Sequence, residues 1–277
     1  MQSQFIKTNG IKLHYLNYEG GKPTIILMHG LTANAHTFDG LIAAGLSPAF
    51  NLVSVDLRGR GLSDQPVTGY TMAEHAKDIV GLLAHLQIEK AVIGGHSYGA
   101  LLTYYLAVHY PQRIDKMILL DAAARMHENT KEMLIPAMSR IGQTFSSFNA
   151  YLEKVKTAPY LTAWDDAMLS YYQADIIENN DGTVTQRSQP RHITEAVTKV
   201  LAEPWPEYIK GVAQEAILIN GTGAYTLNAP LLPKEYAMET VNIMKRCTYA
   251  EVSGNHQTML YGTGAKQITK AIKSFLK

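Results

Sequence analysis

Residues Gly95-His96-Ser97-Tyr98-Gly99 fit the pattern G-x-S-x-G, in which a serine sits on a sharp turn between a strand and a helix. The pattern is short, and its setting gives it weight. Ala91-Val92-Ile93-Gly94 before it reads as a buried strand, and the apolar run from Gly99 to Tyr110 reads as a helix stopped by Pro111. A turn of this kind holds its serine in a strained conformation with little room for neighbouring side chains. Gly95 and Gly99 supply that room. The hydroxyl is lifted to the C-terminal edge of the sheet, where open α/β folds bind ligands. Ser97 is therefore a candidate nucleophile. The Tyr98 amide, at the helix N-terminus, is a candidate donor to a developing oxyanion.

A serine needs a base. Gly254-Asn255-His256 follows the last strand-like run, Thr248 to Val252, so His256 is expected at the same edge. Imidazole, with a pKa of about 6.5, takes a proton at neutral pH. His96 adjoins the serine on a sharp turn, points elsewhere and reads as structural. His14, His75, His85 and His109 fall on strand or helix patterns and read as surface or packing residues. His29-Gly30-Leu31 follows another apolar run, Thr24 to Met28. Gly30 lets the backbone approach a ligand, and the Leu31 amide is expected to be the second oxyanion donor. The His29 side chain reads first as a loop residue bonded to backbone, with a subsidiary place in a substrate pocket.

Several further elements must position these residues. Phe5 to Thr8 and Ile11 to Tyr15, around Asn9-Gly10, read as a hairpin. Leu52 to Val55, Lys116 to Leu120 and Ala216 to Ile219 read as buried strands. Met72 to Leu86 and Ala265 to Leu276 read as helices. Short strands alternating with helices predict an α/β fold with a mainly parallel sheet and right-handed crossovers. The rhythm breaks between Arg125 and Lys210. There the pattern is helical and rich in aromatics, with no convincing buried strand. We read residues 125–210 as a helical cap inserted into a core of residues 1–124 and 211–277.

Composition narrows the function classes. The chain has 277 residues, 46% hydrophobic and 18% charged, and a net charge of +1. No basic stripe suggests nucleic acid or an anionic membrane as partner. The single cysteine, Cys247, cannot form an internal disulfide. The N-terminal residues show no signal-peptide pattern and no apolar run is long enough to span a bilayer. A cytoplasmic monomer or homodimer acting on a small molecule is expected. No metal-ligand spacing or nucleotide fingerprint is visible, so no cofactor and no metal are expected.

Four stretches in order carry a family resemblance: His29-Gly30, then Asp56-Leu57-Arg58-Gly59-Arg60-Gly61-Leu62-Ser63-Asp64, then Gly95 to Gly99, then Gly254 to His256. On them the chain resembles the α/β-hydrolase superfamily, near the capped esterases, lactonases and C–C bond hydrolases. The resemblance implies a mostly parallel eight-stranded sheet flanked by helices. It gives the second stretch a structural task, with Asp56 and Arg58 tying loops beneath the site. Members similar to epoxide hydrolases carry aspartate at the Ser97 position, so serine here implies an acyl-enzyme.

The resemblance also exposes a departure. The family's usual acid lies in the loop after the strand Ala216 to Ile219, which here reads Gly221-Thr222-Gly223-Ala224-Tyr225-Thr226 without a carboxylate. Some members carry the acid at the end of the preceding strand, which is Asp121 in this sequence. Asp121 is thus the candidate orienting acid, with Glu128 and Glu251 as distant alternatives. It also stays open that Ala224 or its neighbour has replaced a catalytic carboxylate, or that the chain binds ligands without turnover. Tyr160, Trp164 and Tyr172, among the aromatics of the presumed cap, are candidate pocket residues. They point to an uncharged, fairly hydrophobic substrate. The expected activity is hydrolysis of an ester or lactone. C–C bond hydrolysis, a cofactor-free oxygenase reaction and a catalytically impaired ligand binder are the rivals.

Overall fold

The computed structural model describes residues 1–277. Strands β1 (Gln2–Thr8) and β2 (Ile11–Tyr18) pair antiparallel. They turn at Asn9 and Gly10, both with positive φ, as a two-residue hairpin of matching twist requires. Strands β3 (Thr24–Met28), β4 (Asn51–Val55), β5 (Ala91–His96) and β6 (Ile114–Leu120) follow, each joined to the next by a crossover. Three short strands come next: β7 (Thr144–Phe145), β8 (Ile176–Glu178) and β9 (Val184–Gln186). Strands β10 (Glu215–Gly221) and β11 (Cys247–Val252) return to the large sheet, whose order is β1-β2-β4-β3-β5-β6-β10-β11. From β4 to β11 all pairings are parallel. This is the expected α/β architecture with eight strands.

Both faces of the sheet are covered, which is why its central strands read as unbroken apolar runs. Helices Met72–His85, Tyr98–His109 and Lys234–Ile243 contribute to the buried cluster on one face, and helix Gly262–Phe275 to that on the other. Helix Tyr98–His109 is buried nearly all round, so it carries apolar residues on every side rather than a stripe. Helix Lys234–Ile243 carries few buried residues, and its weak periodicity leaves little trace in the sequence. No helix is long and apolar enough to cross a membrane.

Between Leu120 and Glu215 the chain leaves the large sheet. It forms helices Thr130–Met138, Phe148–Lys156, Met168–Ala174, Pro190–Val200 and Trp205–Gly211, and the sheet β7-β9-β8. The small sheet departs from the expectation of a purely helical insertion. Its strands have two or three residues each, too few for an alternating pattern to register. The last two helices send Ala196, Val200, Trp205 and Ile209 into the sheet-side core.

The Asp56–Asp64 stretch holds the loops beneath the sheet's C-terminal edge. Buried Asp56 accepts from His14 Nδ1 (2.6 Å), the Ala35 amide (2.6 Å) and the Leu62 amide (2.8 Å). Arg58 and Asp78, both buried, form a two-pronged pair at 2.6 and 2.7 Å. Removing one partner of a buried pair strands the other charge. Arg58→Ala should therefore cost about 3–5 kcal/mol of stability, read by urea unfolding. A loss within experimental error would mean that water or another group takes over Asp78.

Candidate active site

The turn after β5 is set by close backbone packing. A Cβ on Gly99 would lie 1.9 Å from the Met28 carbonyl oxygen, and one on Gly95 would lie 2.2 Å from the Gly99 carbonyl carbon. Only glycine fits either place. Ser97, between them, adopts φ 55°, ψ −115°, a conformation that costs on the order of 1–3 kcal/mol and clusters at functional sites. Its amide donates to Leu120 O (2.9 Å), and its carbonyl accepts from Ala100 and Leu101 at 2.9 and 3.1 Å. The turn is thus pinned to β6 on one side and to the new helix on the other.

The loop after β11 delivers His256 to the same edge. His256 Nδ1 lies 2.6 Å from Asp121 Oδ2. The other oxygen, Oδ1, accepts from the Gly221 amide and Asn220 Nδ2, each at 2.8 Å. Asp121 is fully buried with φ 55°, so its carboxylate is locked from both sides. Nδ1 is then the donor to the carboxylate, and Nε2 is left as the ring's acceptor. Of the three carboxylates that the sequence offers for this task, only Asp121 meets the imidazole. Glu128 is exposed, and Glu251 pairs with Lys234 at 2.5 Å on the surface. In the carboxylate-free loop, Ala224 O accepts from Asn255 Nδ2 (3.0 Å), and the Tyr225 ring meets His256 edge-on at 5.5 Å. Ser97 and His256 line one cavity, and no hydrogen bond joins Ser97 Oγ to the imidazole. Such contacts commonly tighten only when substrate is present.

Gly30 brings the loop after β3 against Ser97. A Cβ there would stand 3.6 Å from Ser97 Cβ. Leu31 lines the cavity, and Arg60 holds its carbonyl from Nε at 2.9 Å while Nη1 holds Arg58 O at 2.8 Å. This grip by Arg60 has no signature in the sequence. His29, a candidate pocket residue, is turned away from the cavity. Its Nδ1 donates to Gly30 O (2.7 Å), and its Nε2 accepts from the Leu57 amide (3.0 Å). Burial pushes its pKa down to about 4. His96 donates from Nε2 to His256 O (2.8 Å) and packs its ring 4.5 Å from that of His256. It supports the loop that carries His256.

Tyr160 and Tyr172 line the cavity, with Tyr171, Tyr225, Leu134 and Met138. Trp164 does not; it stacks behind Tyr172 at 5.8 Å, an outer layer of the aromatic cluster. The wall also contains Arg140, buried and facing Tyr160. That corrects the expectation of a pocket without charge. No local pattern marks Arg140, because its setting is assembled from Tyr160 and Asp175, far away in the chain.

A family model described as alpha/beta hydrolase fold matches residues 23–201. The chain belongs to the α/β-hydrolase family. Among curated relatives of this α/β-hydrolase, 2-(acetamidomethylene)succinate hydrolase of Mesorhizobium japonicum is 33% identical over 137 residues, 48% of this chain and 49% of that protein. 3-Oxoadipate enol-lactonase 2 of Acinetobacter baylyi is 32% identical over 119 residues, 43% of this chain and 44% of that protein. The chain thus spans about half the length of the curated relatives it matches. A solved structure of E-2-(acetamidomethylene)succinate hydrolase superposes with a TM-score of 0.86 at 23% identity, covering 99% of this chain and 98% of that one. That likeness shows the fold.

Three buried histidines make stability depend on pH. Burial lowers His29 to about 4 and places His75 and His96 well below the ordinary value of 6.5. The unfolded chain takes their protons first, so their stabilisation is complete above pH 6.5 and declines as pH falls below it, for His29 down to about 4. The urea midpoint should drop between pH 7 and 5, as each histidine removes up to about 1.4 kcal/mol of stability per pH unit. An unchanged midpoint would contradict their neutral burial.

Proposed function

We propose that this α/β-hydrolase cleaves a carboxylic ester or lactone through an acyl-enzyme on Ser97. The observation that carries the reading is the 2.6 Å contact of His256 Nδ1 with buried Asp121. It fixes the tautomer that leaves Nε2 free to take a proton at the cavity shared with Ser97. Ser97 Oγ attacks the carbonyl while His256 accepts its proton. The Leu31 and Tyr98 amides hold the oxyanion. His256 then returns the proton to the leaving alcohol, and water repeats the sequence to release the acid.

Within residues 125–210, the part before Pro190 serves as the cap that closes the cavity, since Leu134, Tyr160 and Tyr172 stand in its wall, while the last two helices belong to the core beneath. The relatives named as hydrolase and enol-lactonase agree with a hydrolytic reaction. The carboxylate-free loop at Ala224 favoured a binder without turnover. The orientation of Asp121 supports the enzyme instead, because the acid's task is carried out from β6.

Ser97→Ala should abolish labelling by a fluorophosphonate. It should also lower turnover of p-nitrophenyl esters to a residual of about 10³–10⁴ over water. Labelling elsewhere with full turnover would remove the mechanism. Asp121→Asn should reduce turnover by about 10⁴-fold through the wrong tautomer. A loss of only a few-fold in pre-steady-state kinetics would place the acid on another residue.

A further inference from the structure

We propose that Arg140 is a carboxylate-recognition residue, so that the substrate is an acid ester or acid lactone carrying a single carboxylate away from the bond cleaved. This deepens the hydrolase reading and rests on it for the bond broken, not for the charge recognised.

A guanidinium has five N–H donors and no acceptor. Arg140 Nη1 donates to Ala137 O at 2.8 Å and to Tyr160 Oη at 3.0 Å, both uncharged oxygens. Nε is buried and has no hydrogen-bond partner, and beyond the two Nη1 bonds the guanidinium has only the Tyr171 hydroxyl nearby. The nearest carboxylate, Asp175, stands 3.6 Å from Nε, outside hydrogen-bond range. Its Oδ2 is already occupied by Tyr151 Oη and by Gln186 Nε2 at 2.5 Å. Asp175 therefore balances the charge of Arg140 without satisfying its donors.

Donors left unmade in a buried site destabilise the protein, on the order of 1–3 kcal/mol each and more where charge is involved. Nε is sealed and faces Asp175, so Nη2 is the donor left for a ligand carboxylate, as one charge-assisted bond. Arg140 is only 6% exposed, and what it faces includes the cavity that Ser97 and His256 line. Thr37 Oγ1, buried and unpartnered in the same wall, offers a second polar handle. Asp175, 3.6 Å from Nε, repels any bound anion, and it opposes a dianion such as a phosphate monoester more strongly than a single carboxylate.

The test compares charged and neutral esters of matched shape on the full chain. Mono-p-nitrophenyl glutarate and adipate are set against p-nitrophenyl 5-methylhexanoate and 6-methylheptanoate, in which an isopropyl group replaces the carboxylate. The wild-type protein should favour at least one acid ester over its neutral match by ~10-fold or more in kcat/KM. Arg140→Gln should bring that ratio close to one, and Arg140→Lys should restore part of it, since lysine keeps the charge but not the fork. A merely structural role would lower both esters together. A ratio near one in the wild type, or one unchanged in Arg140→Gln, overturns the proposal. Calorimetric titration with glutarate and adipate reads the same recognition without turnover. Wild-type protein should bind one of them ~10-fold or more tightly than Arg140→Gln does. Equal binding, or none, also overturns the proposal. A selective titration without hydrolysis of any ester would instead sink the reaction assigned to Ser97 and leave the anion site standing.

Discussion

A single buried carboxylate joins three strand ends. Asp121 closes β6, takes the Gly221 amide and the Asn220 side chain at the end of β10, and meets the imidazole carried by the loop after β11. The Gly221 amide, at the end of its strand, would otherwise lie unpaired at the rim of the parallel sheet. The left-handed backbone at Asp121 is the conformational cost of turning the carboxylate back over the sheet. With both oxygens committed, the acid has one orientation, and so has the ring it holds.

The Ser97 turn is fixed by a different force, repulsion at short range. The Met28 carbonyl and the Gly99 backbone approach so closely that no side chain fits between them. The same crowding brings Gly30 beside Ser97. Hydrogen bonds place the His256 imidazole and steric exclusion places Ser97, and the two systems meet at one cavity. Arg60 links them to the loops below by gripping the carbonyls of Leu31 and Arg58.

What was legible in the sequence was what depends on local order. The strands Thr24 to Met28 and Ala91 to Gly94 announce themselves by apolar runs, and the Ser97 turn by its glycines. His256 was legible through its place after the last strand. Asp121 could be named only with alternatives, because whether a carboxylate meets an imidazole is decided by strand order, and β6 and β11 are not sequence neighbours. The small sheet was missed because strands of two or three residues carry no period. Arg140 was missed for a related reason: its partners converge from separate turns of an irregular segment. His29 and Trp164 were placed by type alone, and type does not fix the direction in which a side chain points.

The helices that end the region over the sheet are part of the body beneath it. Glu195 accepts from the Gly69 and Tyr70 amides at 3.0 Å each, His192 stacks on Tyr70 at 4.5 Å, and Trp205 is clamped to Val200 O at 2.9 Å. A seam for exchanging the upper region with that of another protein therefore falls before Pro190. Splicing after Gly211 would pull Ala196, Val200, Trp205 and Ile209 out of the hydrophobic interior. Recombination at this locus, natural or in the laboratory, has to respect that asymmetry between the two ends.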